Sequence, residues 1–109
     1  MIEYLEDINK AFESKIRLGI MSVLMVNDEI DFNSLKELLG VTDGNLASHT
    51  KALEGLEYIT VKKQFVGRKP KTTFARTGKG EKAFQEHLQA LESFLNKSGK
   101  EGRQLRKKG

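Results

Sequence analysis

The chain has 109 residues, 38% hydrophobic and 31% charged, the make-up of one soluble domain with a modest core. It contains no cysteine, which excludes disulfides, thiolate metal sites and cysteine nucleophiles. Its net charge of +4 hides a segregation: Tyr58 to Gly80 carries +7 without an acid, Lys97 to Gly109 carries +5, and the remainder carries −8.

The N-terminal stretch MIEYLEDINK is acidic and amphipathic, unlike a signal peptide, and no apolar run is long enough to span a membrane. Together with the lack of cysteine, this gives a cytoplasmic expectation. Leu5, Ile8 and Phe12 stand at helical spacing among acids and predict a short helix over Ile2–Phe12. Ser14 then caps a second helix reaching Val26. Its apolar residues Ile16, Leu18, Ile20, Met21, Val23, Leu24 and Met25 cover most of the circumference, so it is the expected central helix. Gly19 inside it predicts close approach of a neighbouring helix. Asn27-Asp28-Glu29 reads as a turn and Ile30–Phe32 as a very short extended piece. Asn33 is the expected cap of a third helix that turns Leu35, Leu38 and Leu39 inward and ends at Gly40.

Thr42 is the natural N-cap of the next helix, Asp43 to Glu57. Leu46, Leu53 and Leu56 are expected inward, with Thr50 where the stripe calls for leucine. Asn45, Ser48, His49 and Ala52 share one polar face, being three or four residues apart. The β-branched and aromatic run from Tyr58 to Val66 predicts a strand. Gly67 to Lys71 are expected to turn around Pro70, the only proline, and Thr72–Phe74 to return as a second strand. Thr77 caps a last helix to Asn96, whose first turn is weakened by Gly78 and Gly80. Its Phe84, Leu88, Leu91 and Leu95 step by four, three and four, a narrow seam rather than a broad core face. SGKEGRQLRKKG, after Lys97, lacks an apolar pattern. The expected division is therefore a domain over residues 1–96 and a flexible basic tail over 97–109.

Two helices joined by a tight turn, the second with a polar face, form a helix-turn-helix. The hairpin that follows holds five cations and no carboxylate between Val61 and Phe74. An α-helix fits the major groove of DNA, where polar side chains read base edges. Cations on a projecting hairpin reach phosphates or the minor groove and release counterions. The fold class expected is mainly α with a small β-hairpin: a winged helix-turn-helix with flanking N- and C-terminal helices.

The run DFNSLKELLGVTDGNLASHTKALEGLEYITVKKQFVGRKPKTTFARTGKGEKAF, Asp31 to Phe84, resembles bacterial winged-helix regulators of the MarR/ArsR-like type, especially compact stand-alone DNA-binding members. The marks are LKELLG, TDGNLASH, LEGLEYI, FVGRKPKTTF and RTGKG, and the likeness extends from about Ser14 to Leu95. It implies DNA binding as a homodimer held by the outer helices, with transcriptional repression the usual outcome. The chain is shorter than full-length MarR-type regulators and lacks the long helices framing their ligand pocket, so no small-molecule effector is assigned.

The expected DNA contacts are Thr42, Asn45, Ser48, His49 and Lys51 on the helix and its cap, and Arg68, Lys69 and Lys71 on the wing. Asn suits adenine, whereas Ser and His discriminate less. Arg68 is the strongest wing residue, because guanidinium enters a narrow minor groove or forks onto a phosphate. Lys62 and Lys63 point to opposite strand faces, so at most one meets DNA, and Lys36 is a weaker backbone contact. The expected dimer face joins Leu5, Ile8 and Phe12 to Leu88, Leu91 and Leu95. His49 and His87 on separate helices make no metal cluster, and Asp28, Glu29 and Asp31 read as turn residues. No nucleophile elbow, P-loop or HExxH is present, so no catalytic residue and no cofactor is assigned. The partners expected are double-stranded DNA and a second copy of the chain. Two other readings stay open: a sequence-indifferent architectural nucleic-acid binder, and a winged helix serving as a protein-interaction module.

Overall fold

A computed structural model describes residues 8–108, with side chains described through residue 100. Within it, Lys10–Glu13 form a single 3₁₀ turn, begun by Asn9, whose Oδ1 accepts from the Ala11 N–H at 2.9 Å. The helix expected over Ile2–Phe12 is thus only a turn in its described part, and Leu5 lies outside the described residues. Helix α1 (Lys15–Met25) starts at Ser14, whose Oγ accepts from Arg17 N–H. A two-residue strand β1 (Ile30–Asp31) leads into α2 (Phe32–Leu39).

The cap of α2 corrects the sequence reading. Asp31, not Asn33, precedes the helix, and its Oδ2 accepts from Ser34 N–H at 3.1 Å while its Oδ1 accepts from Ser34 Oγ at 2.7 Å. The charged acceptor also favours the positive end of the helix. Gly40 closes α2 at φ 64°, a left-handed position that glycine takes without a Cβ clash. Helix α3 (Asp43–Gly55) follows, with Thr42 Oγ1 accepting from Asn45 N–H at 3.2 Å. At its far end Glu57 N–H reaches Glu54 O and Tyr58 N–H reaches Leu53 O, a Schellman ending with Glu57 at φ 63° where glycine is usual.

Strands β2 (Ile59–Val66) and β3 (Lys69–Arg76) form the hairpin, and β1 pairs with the inner part of β3, giving the antiparallel order β1-β3-β2. Val66 stands opposite Lys69, so the turn holds only Gly67 and Arg68. Gly67 has φ 66° and Arg68 has none of that positive twist, the pattern of a II′ turn. Pro70 is therefore a strand residue opposite Phe65 rather than the apex. β1 pairs only at Thr73 and Phe74, so the outer side of β3 at Pro70 is an open edge, where a missing N–H leaves no ladder bond unmade.

Helix α4 runs from Gly78 to Lys108, 31 residues and about 46 Å at 1.5 Å per residue. Thr77 caps it as expected, Oγ1 accepting from Gly80 N–H at 2.9 Å. It does not stop at Asn96. Glu, Arg, Gln, Leu and Lys beyond that point are good helix formers, and they carry the helix through Gly99 and Gly102. Among the described residues no helix is long and apolar enough to cross a membrane.

Ile20, Met21 and Leu24 of α1, Leu35 of α2 and Leu46 and Leu53 of α3 are fully buried, and Ile59, Phe74 and Phe84 close the core around them. A Cβ on Gly19 would stand 3.0 Å from Leu39 Cδ2, the close helix approach anticipated there. Thr50 is buried without an orphaned hydroxyl, since its Oγ1 lies 2.8 Å from Leu46 O and 3.2 Å from Ala47 O. Leu38 and Leu56, expected inward, are exposed. Leu38 lies off the inward line of α2, which Leu35 and Leu39 occupy four residues apart, and Leu56 is the C-cap of α3, where the chain turns away. Phe12 is also corrected as a dimer residue: its ring is enclosed by Tyr58, Phe84 and His87 of its own chain, with centroids 5.8, 5.4 and 5.1 Å away. The architecture is the winged helix-turn-helix, with a third short strand added to the hairpin.

Candidate nucleic-acid interface

Helix α3 buries Leu46, Thr50 and Leu53 and so presents the opposite surface outward. Asn45 and Ser48 are exposed there, and His49 is half-buried. Thr42 is exposed but its hydroxyl oxygen already serves the Asn45 N–H. Only the hydroxyl proton of Thr42 is left for a phosphate. Asp43, at the positive end of α3, is bridged by Lys36 Nζ at 2.6 Å. Lys36 is thereby committed to joining α2 to α3, and it offsets an acid that would otherwise repel a phosphate. The pair is solvent-exposed and contributes little stability, about 0–1 kcal/mol.

Lys51 leaves the polar face and turns towards the hairpin. It lines a crevice of about 430 Å³ between α3 and the sheet, together with Ala47, Thr50, Glu54, Lys63 and Thr72. The structure thus brings Lys51 and Lys63 to one groove. Glu54 is the single acid on that rim. Side chains alternate along a strand, so Val61, Lys63 and Phe65 share the crevice side, and their partners Phe74, Thr72 and Pro70 share it too. Lys62, Lys69 and Lys71 fall on the other side.

Arg68 occupies the turn itself and is exposed, as are Lys69 and Lys71. Lys71 and Pro70 border a second hollow beside Asp31 and Asn33. The Asp31 carboxyl is held below the usual carboxylate range, first by the Ser34 hydroxyl, then by the Ser34 N–H, with Lys71 adding a smaller pull. The charge of Lys71 is in part answered within the chain, whereas none of the ion pairs among the described residues involves Arg68 or Lys69.

Two residues in the basic run have roles that charge counting cannot find. Arg76 Nη1 donates to Leu24 O at 2.6 Å and to Asn27 O at 3.4 Å, and its Nε lies 3.4 Å from Glu81 Oε1. It ties the C-terminal end of α1, where carbonyls lack helical partners, to β3 and α4. Tyr58, at the foot of the wing, accepts on its hydroxyl from Asn9 Nδ2 at 3.0 Å, while Asn9 N–H donates to His87 Nδ1 at 3.3 Å. His87 is buried and neutral, its pKa pushed down by burial. No group of acids, histidines or cysteines among the described residues can hold a metal ion.

Comparisons with known proteins agree with this geometry. Residues 16–95 match the family described as a winged helix DNA-binding domain. An uncharacterized protein of Methanocaldococcus jannaschii, MJ0432, is 38% identical over 79 residues, covering 72% of this chain and 86% of that one. A transcriptional regulator homologue from Pyrococcus horikoshii OT3 superposes with a TM-score of 0.79 at 29% identity, covering 86% of this chain and 95% of its own. A Porphyromonas gingivalis W83 protein assigned to the MarR family shares the fold at a TM-score of 0.62 and 24% identity, with 84% of each chain covered. A polar helix face beside an all-cation wing, on a chain matched along most of its length, fits the family that the match shows: this protein belongs to the winged helix DNA-binding domain family.

Proposed function

We propose that the protein is a homodimeric, sequence-specific regulator that inserts α3 into the major groove of double-stranded DNA and lays its wing on the adjacent backbone and minor groove. The observation that carries this reading is the exposed polar face of α3 beside a projecting hairpin that has five cations and no carboxylate. Asn45, Ser48 and His49 read base edges; Thr42, Lys51, Lys69 and Lys71 hold the backbone; Arg68 reaches the minor groove or a phosphate. Lys63 joins them from across the crevice.

The dimer face of this reading comprises Leu88, Leu91 and Leu95 on α4, together with Ile8 of the N-terminal segment. Leu88 and Leu95 are 48% and 69% exposed in the single chain, so they have apolar surface to bury against a second copy. Two such copies would engage half-sites about one helical turn apart. Repression by occupying promoter DNA is the mode that the family resemblance implies, and it needs no chemistry beyond binding.

The test is a backbone amide chemical-shift map taken as a duplex is added. Shifts concentrated at residues 42–51 and 63–71 support the reading. Shifts on another surface with α3 unmoved would remove α3 as the reader, and no shifts at all would move the assignment to a protein-interaction module.

A further inference from the structure

The wing carries an apolar surface that its electrostatic role does not call for. Phe65 is 75% exposed and Val66 is 56% exposed, the last two residues of β2 before the Gly67-Arg68 turn, on opposite faces of the strand. Phe65 stands opposite Pro70, so the register sets ring and pyrrolidine side by side on one strand face as an apolar plate near the tip. Alternation puts that plate on the same strand face as Val61 and Lys63, the face that looks across the crevice towards Lys51 of α3. Every charged residue between Val61 and Phe74 is a cation. A protein partner with an apolar patch gains nothing from that ring of cations. A nucleic-acid strand meets both features at once, because its phosphates are anionic and its deoxyribose edges and base steps are apolar.

We infer that the Phe65–Pro70 plate is a non-ionic DNA contact, seated against the deoxyribose wall or a base step of the minor groove of duplex DNA, while Lys51 and Lys63 grip the phosphates of the same strand. This rests on the DNA-binding reading above and adds a residue class to it. Apolar side chains that enter the minor groove contribute affinity by contact and by wedging base steps. Unlike lysine or arginine, they release no counterions. The wing would then supply two separable components: a salt-sensitive one from Arg68, Lys69 and Lys63, and a salt-insensitive one from Phe65.

The experiment measures duplex affinity of the full chain, Phe65→Ala and Arg68→Ala over a range of salt, by fluorescence anisotropy of labelled DNA. Phe65→Ala is expected to bind about tenfold more weakly at every salt concentration, equal to about 1.4 kcal/mol, with the slope of log affinity against log salt unchanged. Arg68→Ala is expected to change the slope instead, by about one unit. The chain has no tryptophan, so Phe65→Trp gives a single indole reporter. Its quenching by acrylamide should fall at least about twofold when duplex is added, as expected for a side chain that loses its water on binding. Phe65→Ala binding within twofold of the parent, or an indole equally quenched with and without DNA, overturns the inference. So does a Phe65→Ala loss that appears only as an altered slope, or a shift in the sedimenting species, which would make the plate a self-association surface. If the parent chain itself binds no duplex, the DNA-binding reading falls with it. A parent that binds while Phe65→Ala is indifferent removes only the plate.

Discussion

Replacing Gly80 by alanine is expected to destabilise the fold sharply, although alanine is the better helix former. A Cβ built at Gly80 would stand 2.1 Å from Tyr58 O, 2.8 Å from Tyr58 C and 2.9 Å from Tyr58 Cα. These are backbone atoms and cannot swing aside. Tyr58 is pinned from three directions: its N–H to Leu53 O at 3.0 Å, its carbonyl to Thr77 N–H at 3.0 Å, and its hydroxyl to Asn9. Relief requires the start of α4 to withdraw by roughly 1 Å, an overpacking shift that costs about 1–3 kcal/mol. That shift also stretches the Thr77 N–H bond to Tyr58 O and the 2.6 Å bond from Thr77 Oγ1 to Glu57 O, each contributing about 1 kcal/mol. The gain in helix propensity offsets about 1 kcal/mol. The net loss is about 2–4 kcal/mol, or a fall in melting temperature of more than about 10 °C for a domain of this size. Circular dichroism melts at fixed protein concentration measure it, since association would otherwise shift the transition. Gly78→Ala is the control, because its Cβ meets nothing within 4 Å. It should leave stability unchanged or raise it. A Gly80→Ala protein as stable as the parent would refute the close approach at Tyr58.

Further consequences can be checked in the same way. Glu57 holds a left-handed φ that β-carbons disfavour by about 1 kcal/mol, so Glu57→Gly should raise the urea midpoint by a corresponding amount. His87 is held below its ordinary value of 6.5 by burial. The unfolded chain therefore binds the proton more readily, and stability is complete above about pH 6.5 and falls as pH drops from there towards the folded pKa. Urea midpoints at about pH 7.5 and pH 5.5 should show the loss, and His87→Gln should flatten it. Arg76→Ala should destabilise by about 1–3 kcal/mol in urea melts, since it leaves the Leu24 carbonyl without its charged donor. Asn45→Ala and His49→Ala, on the outward side of α3, should alter which sequence is preferred while leaving the melting temperature near that of the parent. Unchanged preference in both would remove α3 as the reader.

Local chemistry made most of the fold legible in the sequence. Ser14, Thr42 and Thr77 cap their helices because a side-chain oxygen three residues ahead of a free N–H is a short-range fact. Gly40 and Gly67 announce positive φ in the same way. What escaped depends on distance. Asp31 groups in sequence with the turn acids Asp28 and Glu29, while its place at the end of β1 and the start of α2 depends on the pairing of Ile30 with Phe74, far along the chain. Leu38 and Leu56 satisfy helical periodicity as well as Leu39 does, but periodicity alone does not say which of two adjacent leucines meets the core or where a helix turns off. Phe12 had the spacing of an outer helix and was claimed by three rings from distant segments. Arg76 falls within the basic run from Tyr58 to Gly80, yet its partners are carbonyls at and just past the end of α1. Pro70 read as the apex, since proline favours turns as much as open strand edges. The polar face of α3 and the cations of the wing were visible throughout, while the meeting of Lys51 with Lys63 needed the packing of helix on sheet.

The measurement that bears most directly on the central claim is selection of bound duplexes from a random DNA pool near physiological salt, using the full chain. A homodimer that reads DNA through α3 predicts enrichment of a pseudo-palindrome with half-sites about one helical turn apart. Binding with no enriched sequence would contradict the claim and make the protein an architectural binder, and a folded sample that retains no DNA would make its winged helix a surface for protein partners.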